Sequence, residues 1–163
     1  MRDLAVHNAL ITGGGSGVGA VMARMLADSG VKVVVSGRRS DVLAEVAEHQ
    51  NITAIVADVT DETSVQDMFT TMVDVVGTPD LVIANAGMAE SAPIGKTSVD
   101  LWQRTMDVNL TGPFLVSKHA VPYLRKARGV IVNMASTRAL QSEPDTEAYA
   151  ATKGGLVALT HAL

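Results

Sequence analysis

The amino-acid sequence predicts an α/β fold, a doubly wound parallel sheet with helices on both faces. Three observations carry it. Five short apolar runs rich in β-branched residues recur along the chain. They are nearly continuous instead of alternating, as in strands buried on both sides. Helical patterns separate them in a β-α-β-α-β-α-β order, and a glycine-rich loop follows the first run directly. At 163 residues against ~100–200 per domain, residues 1–163 are expected to form one domain. Right-handed crossovers would gather the loops after the strands at one edge, where such folds bind ligands.

The elements follow in order. Ala9-Leu10-Ile11 is the first strand, and Val18 to Ser29 reads as a helix closed by Gly30. Val31 to Val35 is the second strand. Ser40 is the expected N-cap of a helix carrying Val42, Leu43, Val46 and Ala47. Ile52 to Ala57 forms the third strand. Val65, Met68, Phe69, Met72, Val73 and Val76 then fall at offsets of three and four, with Gly77 placed to end that helix. Leu81 to Ala84 is the fourth strand and Val130-Ile131-Val132 the fifth. Between them, a helical stretch from Trp102 to Leu110 is expected to be interrupted by Gly112-Pro113. The last helix, begun near Tyr149, reaches Leu163 without a stop signal. The sequence is therefore expected to end inside a helix, as a truncated or clipped relative of something longer.

Composition narrows the function classes. The chain is 47% hydrophobic and 18% charged, which excludes a disordered chain and suggests shielding in a core or an oligomer interface. Net charge is −4, no Lys/Arg run stands out, and aromatics are 3%; no nucleic-acid partner is expected. The absence of cysteine excludes a disulfide scaffold, a thiolate metal site and a cysteine nucleophile. No stretch approaches the ~18 apolar residues of a membrane span. Residues Met1 to Asn8 carry an acid and a histidine where a signal peptide needs an apolar run. A soluble, cytoplasmic protein without a membrane partner is expected. The four histidines show no metal-ligand spacing, the eight methionines read as core filling, and Trp102 reads as a packing residue.

After the first strand comes Thr12-Gly13-Gly14-Gly15-Ser16-Gly17-Val18-Gly19, and then a helix. Glycines allow a tight turn and close backbone approach to a pyrophosphate, and the helix N-terminus supplies N–H groups and a favourable dipole. A flexible strand-to-helix turn is the plainer reading, but strand before and helix after meet both conditions for a dinucleotide site.

That T-G-x-x-x-G-x-G spacing is read together with Asp58-Val59 after the third strand and Asn85-Ala86-Gly87 after the fourth. Asn109, Ser136 after the fifth strand and Tyr149-Ala150-Ala151-Thr152-Lys153 complete the series. In this order the motifs resemble the short-chain dehydrogenase/reductase family over residues 5 to 163. The resemblance implies a Rossmann-type sheet with five strands present and the family's C-terminal strands missing. It implies Gly13, Ser16, Gly17, Val18 and Gly19 as a cofactor cradle, Asp58 and Val59 against adenine, and Asn85, Ala86 and Gly87 backing the ribose and sheet edge. It also implies a catalytic set of Asn109, Ser136, Tyr149 and Lys153.

Tyr149 and Lys153 are four apart and share a helix face. A tyrosine ordinarily titrates near ~10, and an ammonium one turn away favours the phenolate. The pair could work as an acid/base unit, though a Tyr and a Lys at this spacing are also ordinary surface residues. Ser136 could orient a substrate oxygen toward Tyr149, or could cap a turn. By the resemblance, Asn109 bends its helix and holds a proton-relaying water, while Lys153 also holds the nicotinamide ribose.

After the second strand stands Ser36-Gly37-Arg38-Arg39. An NAD site usually has an acid there for the ribose 2′-OH, whereas Arg38 could meet a 2′-phosphate through a charge-assisted fork. NADP(H) is therefore the favoured cofactor, with NAD(H) possible; a solvated arginine pair is the plainer reading. The implied reaction is hydride transfer between this cofactor and a small-molecule alcohol or ketone. A catalytically idle nucleotide-binding or assembly protein of the same fold is the alternative. Met88 to Lys96 and Thr137 to Thr146 are the expected substrate walls, with Ala89, Ala92, Pro93, Ile94 and Leu140 apolar and Glu90, Arg138, Glu143 and Asp145 charged. A homo-oligomer, dimer or tetramer, is expected from the resemblance. It is also expected from apolar Phe114, Leu115, Val116, Val121 and Leu124 and the helix from Gly154 to Leu163. Gly154-Gly155 would permit close approach of another helix or of the cofactor.

Overall fold

A computed structural model of the chain describes residues 6–163. The first five residues of the amino-terminal stretch read above for a leader lie outside the described residues. Strands β1 (Asn8–Thr12), β2 (Lys32–Gly37), β3 (Ile52–Val56), β4 (Leu81–Ala84) and β5 (Val130–Asn133) form one sheet. Its order is β3-β2-β1-β4-β5 and every pairing is parallel. The chain winds outward through β2 and β3, then returns to β4 on the other side of β1. That reversal opens a crevice at the carboxyl ends of β1 and β4, the place where such sheets hold ligands.

The continuous apolar runs serve two cores. Leu10, Val34, Ile55 and Val82 face α3 (Glu62–Val75) and α5 (Gly112–Ala127) through Val65, Met68, Phe69, Leu115 and Val116. Their neighbours Ala9, Ile11, Val33, Val35 and Ile83 face α1 (Gly17–Asp28) and α2 (Ser40–Val46) through Ala20, Ala23, Ala27, Leu43 and Val46. Alternate side chains of a strand point to opposite faces, so two covered faces require an unbroken apolar run.

Several local expectations are corrected. Burial on both faces holds for β1, β2 and β4, but Val56 on β3 and Val130 and Val132 on β5 are exposed, because these are the edge strands. Ser40 is the first helical residue of α2, and Arg39 is its N-cap. Gly112-Pro113 does not interrupt the helix. α4 (Val99–Met106), a π-helical turn (Asp107–Thr111) and α5 run on without a break. Pro113 has no N–H to give the Asn109 carbonyl four residues back, and the chain accommodates this by widening one turn. Trp102 is exposed, not packed. Of the apolar residues offered as surplus for an interface, Leu115, Val116, Leu124 and Leu156 are buried within the subunit, and Phe114 and Leu163 are exposed. Of the paired glycines on α6 (Glu147–Ala162), a Cβ on Gly155 would stand 3.0 Å from Leu110, so the close approach there is to the π turn. Among the described residues, no helix is long and apolar enough to cross a membrane.

Candidate cofactor and active site

The crevice between β1 and β4 holds a cavity of about 320 Å³. Gly13, Ser16, Val18 and Gly19 line it from the loop and first turn of α1. Arg38 lines it from the end of β2, Asp58 and Val59 from the end of β3, and Asn85, Ala86 and Gly87 from the end of β4. Gly13 turns with φ +65°, and a Cβ there would lie 2.8 Å from Ala86 Cα. A Cβ on Gly19 would collide with the Gly13 carbonyl oxygen and stand 2.6 Å from Asn85 Nδ2. Gly17 also has positive φ, +53°, but is open on its outer side.

This loop fits a pyrophosphate. No side chain caps α1, whose N-cap is Ser16, and its first turn holds no acid; its leading N–H groups are left for an external acceptor. Arg38 makes no ion pair among the described residues. Across the cavity, burial works against charge on Asp58. The Thr60 N–H at 2.9 Å and hydroxyl at 2.8 Å, with Arg38 nearby, outweigh it and hold the carboxyl below its ordinary value.

Asn85 lines the cavity and has a bracing role besides. Its Nδ2 donates to the carbonyls of Thr12 and Gly13 at 3.0 and 3.2 Å, so its amide braces the glycine loop. Thr12 opens the glycine motif in the sequence, but its structural role was not read there. Its buried Oγ1 accepts from the N–H groups of Asn85 and Ala86, both at 3.1 Å, and staples β1 to the end of β4. A threonine ending a buried strand just before the glycines was the available signal.

A second cavity of about 300 Å³ brings Ser136 and Tyr149 together between the loops after β4 and β5. Ser136 Oγ also accepts from the Arg138 N–H at 3.2 Å, so the turn-capping reading holds alongside access to the cavity. Lys153 Nζ lies 5.5 Å from the Tyr149 ring centre and donates to the Met134 carbonyl at 2.6 Å. Lys153 is 6% exposed, and burial holds its ammonium below the ordinary lysine value. Asn109 is fully buried in the π turn. Its Oδ1 accepts from Met88 N–H and its Nδ2 donates to the Met88 carbonyl, each at 2.8 Å, with a longer reach of 3.4 Å to Thr152 Oγ1. Its side chain thus anchors the loop after β4. No group of His, Asp or Glu among the described residues could hold a metal.

Comparison with known proteins agrees with this geometry. Residues 7–163 match the family model described as short chain dehydrogenase. An uncharacterised oxidoreductase from Thermotoga maritima is 42% identical over 95% of this chain. The cis-4-hydroxycyclohexanecarboxylate dehydrogenase of Sinomonas cyclohexanicum is 35% identical over 93%. A crystal structure of a short chain dehydrogenase from Bacillus anthracis superposes with TM-score 0.92 at 31% identity, covering 96% of this chain and 68% of that one. The chain spans 63% of the Thermotoga protein and 64% of the Sinomonas one. Sheet order, motif placement and these matches agree: the chain belongs to the short-chain dehydrogenase family.

Proposed function

We propose that residues 1–163 are the dinucleotide-binding domain of an oxidoreductase that interconverts a secondary alcohol and a carbonyl compound, with NADP(H) favoured over NAD(H). One observation carries the reading. Ser136 and Tyr149 share a cavity, with the Lys153 ammonium 5.5 Å from the tyrosine ring, while the residues after β1, β2 and β3 line a pyrophosphate-compatible crevice. When bound, the nicotinamide supplies or accepts the hydride at the substrate carbon.

The chain's own residues supply the proton chemistry. Tyr149 Oη gives its proton to the carbonyl oxygen in reduction, or takes it from the alcohol in oxidation. Ser136 Oγ orients that oxygen, and the buried Lys153 ammonium stabilises negative charge left on the phenolic oxygen. Met134 fixes Lys153 through its carbonyl, and the Asn109–Met88 pair holds the cavity's other wall. The Sinomonas relative is named for an alcohol substrate, which agrees with this reaction class. We also propose a homo-oligomer, dimer or tetramer. Support comes from the exposed Phe114 and Trp102, not from the residues spent on the core.

The test is turnover by the full-length protein over a panel of alcohols and ketones with each cofactor. Cofactor binding without turnover of any of them would favour the idle protein of the same fold. Cofactor preference has its own test. A Cβ on Gly37 meets nothing nearer than Leu43 Cδ2 at 3.9 Å, so Gly37→Asp fits. Gly37→Asp with Arg38→Ser is expected to shift preference toward NAD(H) by at least ~10-fold, because a carboxylate replaces the phosphate-matching guanidinium. Tighter binding of NADH than NADPH by the unmodified protein would contradict the role given to Arg38.

A further inference from the structure

Arg138 follows Ser136 by two residues, and Ser136 Oγ accepts its N–H at 3.2 Å. The short turn Thr137–Ala139 therefore ties the arginine's backbone to the serine. Both line the cavity that reaches Tyr149, and Arg138 is the one cation on that lining among the described residues. The one acid there is Glu90. Its side chain is 56% exposed with Arg104 at 4.0 Å, whereas Arg138 is only 30% exposed. The cation is the more enclosed of the two.

The guanidinium is only partly used. One terminal nitrogen pairs with Glu143, whose side chain is 59% exposed. The other reaches the Gln141 carbonyl at 3.4 Å, beyond the usual range of such bonds. With Glu143 more than half exposed, this ion pair adds little net stability. The planar fork offers five N–H donors matched to the two oxygens of a carboxylate. The cavity's other polar groups include the neutral hydroxyls of Ser136, Thr137 and Thr146, none of which needs a fixed cation opposite it.

We propose that Arg138 makes this cavity selective for carbonyl and alcohol substrates that bear a carboxylate, with Glu143 occupying the guanidinium until the substrate replaces it. The inference rests on the dehydrogenase reading above and names its substrate class.

The test uses the full-length protein loaded with NADP+, in which a ketone binds but cannot be reduced. Calorimetry compares 4-oxopentanoate and 5-oxohexanoate with their neutral amides in the parent, Arg138→Met and Glu143→Gln. Each acid is expected to bind the parent about tenfold more tightly than its amide, as charge-assisted forks do. Arg138→Met removes the difference by weakening the acids alone, with amide and NADP+ affinities unchanged. Glu143→Gln strengthens the acids by about threefold, because no resident carboxylate has to leave. The proposal is overturned if the parent does not prefer the acids, or if Arg138→Met keeps the preference. A parallel assay with NADPH and NADH separates the two readings. Acid preference through Arg138 without reduction of any ketone would leave the anion site and remove the dehydrogenase. Reduction of ketones with no acid preference would do the reverse.

Discussion

Tyr149 and Lys153 show how much one residue's surroundings decide. Tyr149→Phe removes only the phenolic oxygen, so it is expected to lower turnover by at least ~10²-fold, the usual range for a lost acid/base group. Cofactor affinity should hold, since the glycine crevice is untouched; activity within tenfold of the parent would defeat the assignment. Lys153 makes a pH prediction. Burial lowers its folded-state value, while the unfolded chain titrates near the ordinary ~10.4. Between those two values the unfolded state holds more protons, so this residue's contribution to stability rises with pH. It is fully present above the unfolded value and lost as pH falls through the folded one. Urea unfolding from pH 7 to pH 10.5 should therefore show the parent gaining on Lys153→Met as pH rises. Parallel curves would mean that burial does not penalise the ammonium. The four-residue spacing made this pair legible in the sequence. The Met134 carbonyl that receives the ammonium was not, because a backbone acceptor 19 residues away leaves no residue-type signal.

At the scale of elements, the β1–α1 loop separates two reasons for a glycine. Gly19 is required by space, since a methyl would meet the Gly13 carbonyl and the Asn85 amide. Gly17 is required only by its positive φ, with nothing within 4 Å of a built Cβ. Gly19→Ala should cost ~1–3 kcal/mol through overpacking, and also weaken cofactor binding by displacing the loop. Gly17→Ala should cost ~1 kcal/mol through left-handed backbone strain alone. Equal losses in denaturant midpoint would erase the distinction. The loop was readable because glycine spacing is local. The π turn was not. Gly112-Pro113 signals a broken helix, yet the buried Asn109–Met88 bonds and the contact of Gly155 with Leu110 reward keeping the helices joined. Gly112 itself packs so tightly that a Cβ would lie 2.9 Å from Val59. Tertiary packing overrode a local breaker, and a π bulge is the form such compromises take, often beside functional sites.

At the scale of the whole molecule, five apolar runs were enough to predict the sheet, because short β-branched runs favour strands. They could not report which strands lie at the edges, since a run that is covered and one that is open carry the same residues. β5 ends the sheet, with Val130 and Val132 at 36% and 39% exposure. α1 packs on the sheet through Ala20, Ala23 and Ala27 and turns Val18, Val21 and Met25 outward. An edge strand with unpaired backbone groups and an apolar face is a template for association, and apolar helix faces add surface of the kind that draws partners. The 163-residue chain expressed alone is therefore expected to self-associate at micromolar concentration and to bind a hydrophobic dye. Val132→Lys should suppress association by putting a charge on the open edge, whereas Val21→Lys with Met25→Lys should reduce dye binding without changing the sheet edge. Light scattering and dye fluorescence on the parent and both variants separate the two surfaces. If association persists in Val132→Lys and disappears in the α1 variant, the helix face and not the strand edge holds the copies together. A parent chain that stays monomeric and dye-free would show that neither surface is large enough to recruit a partner.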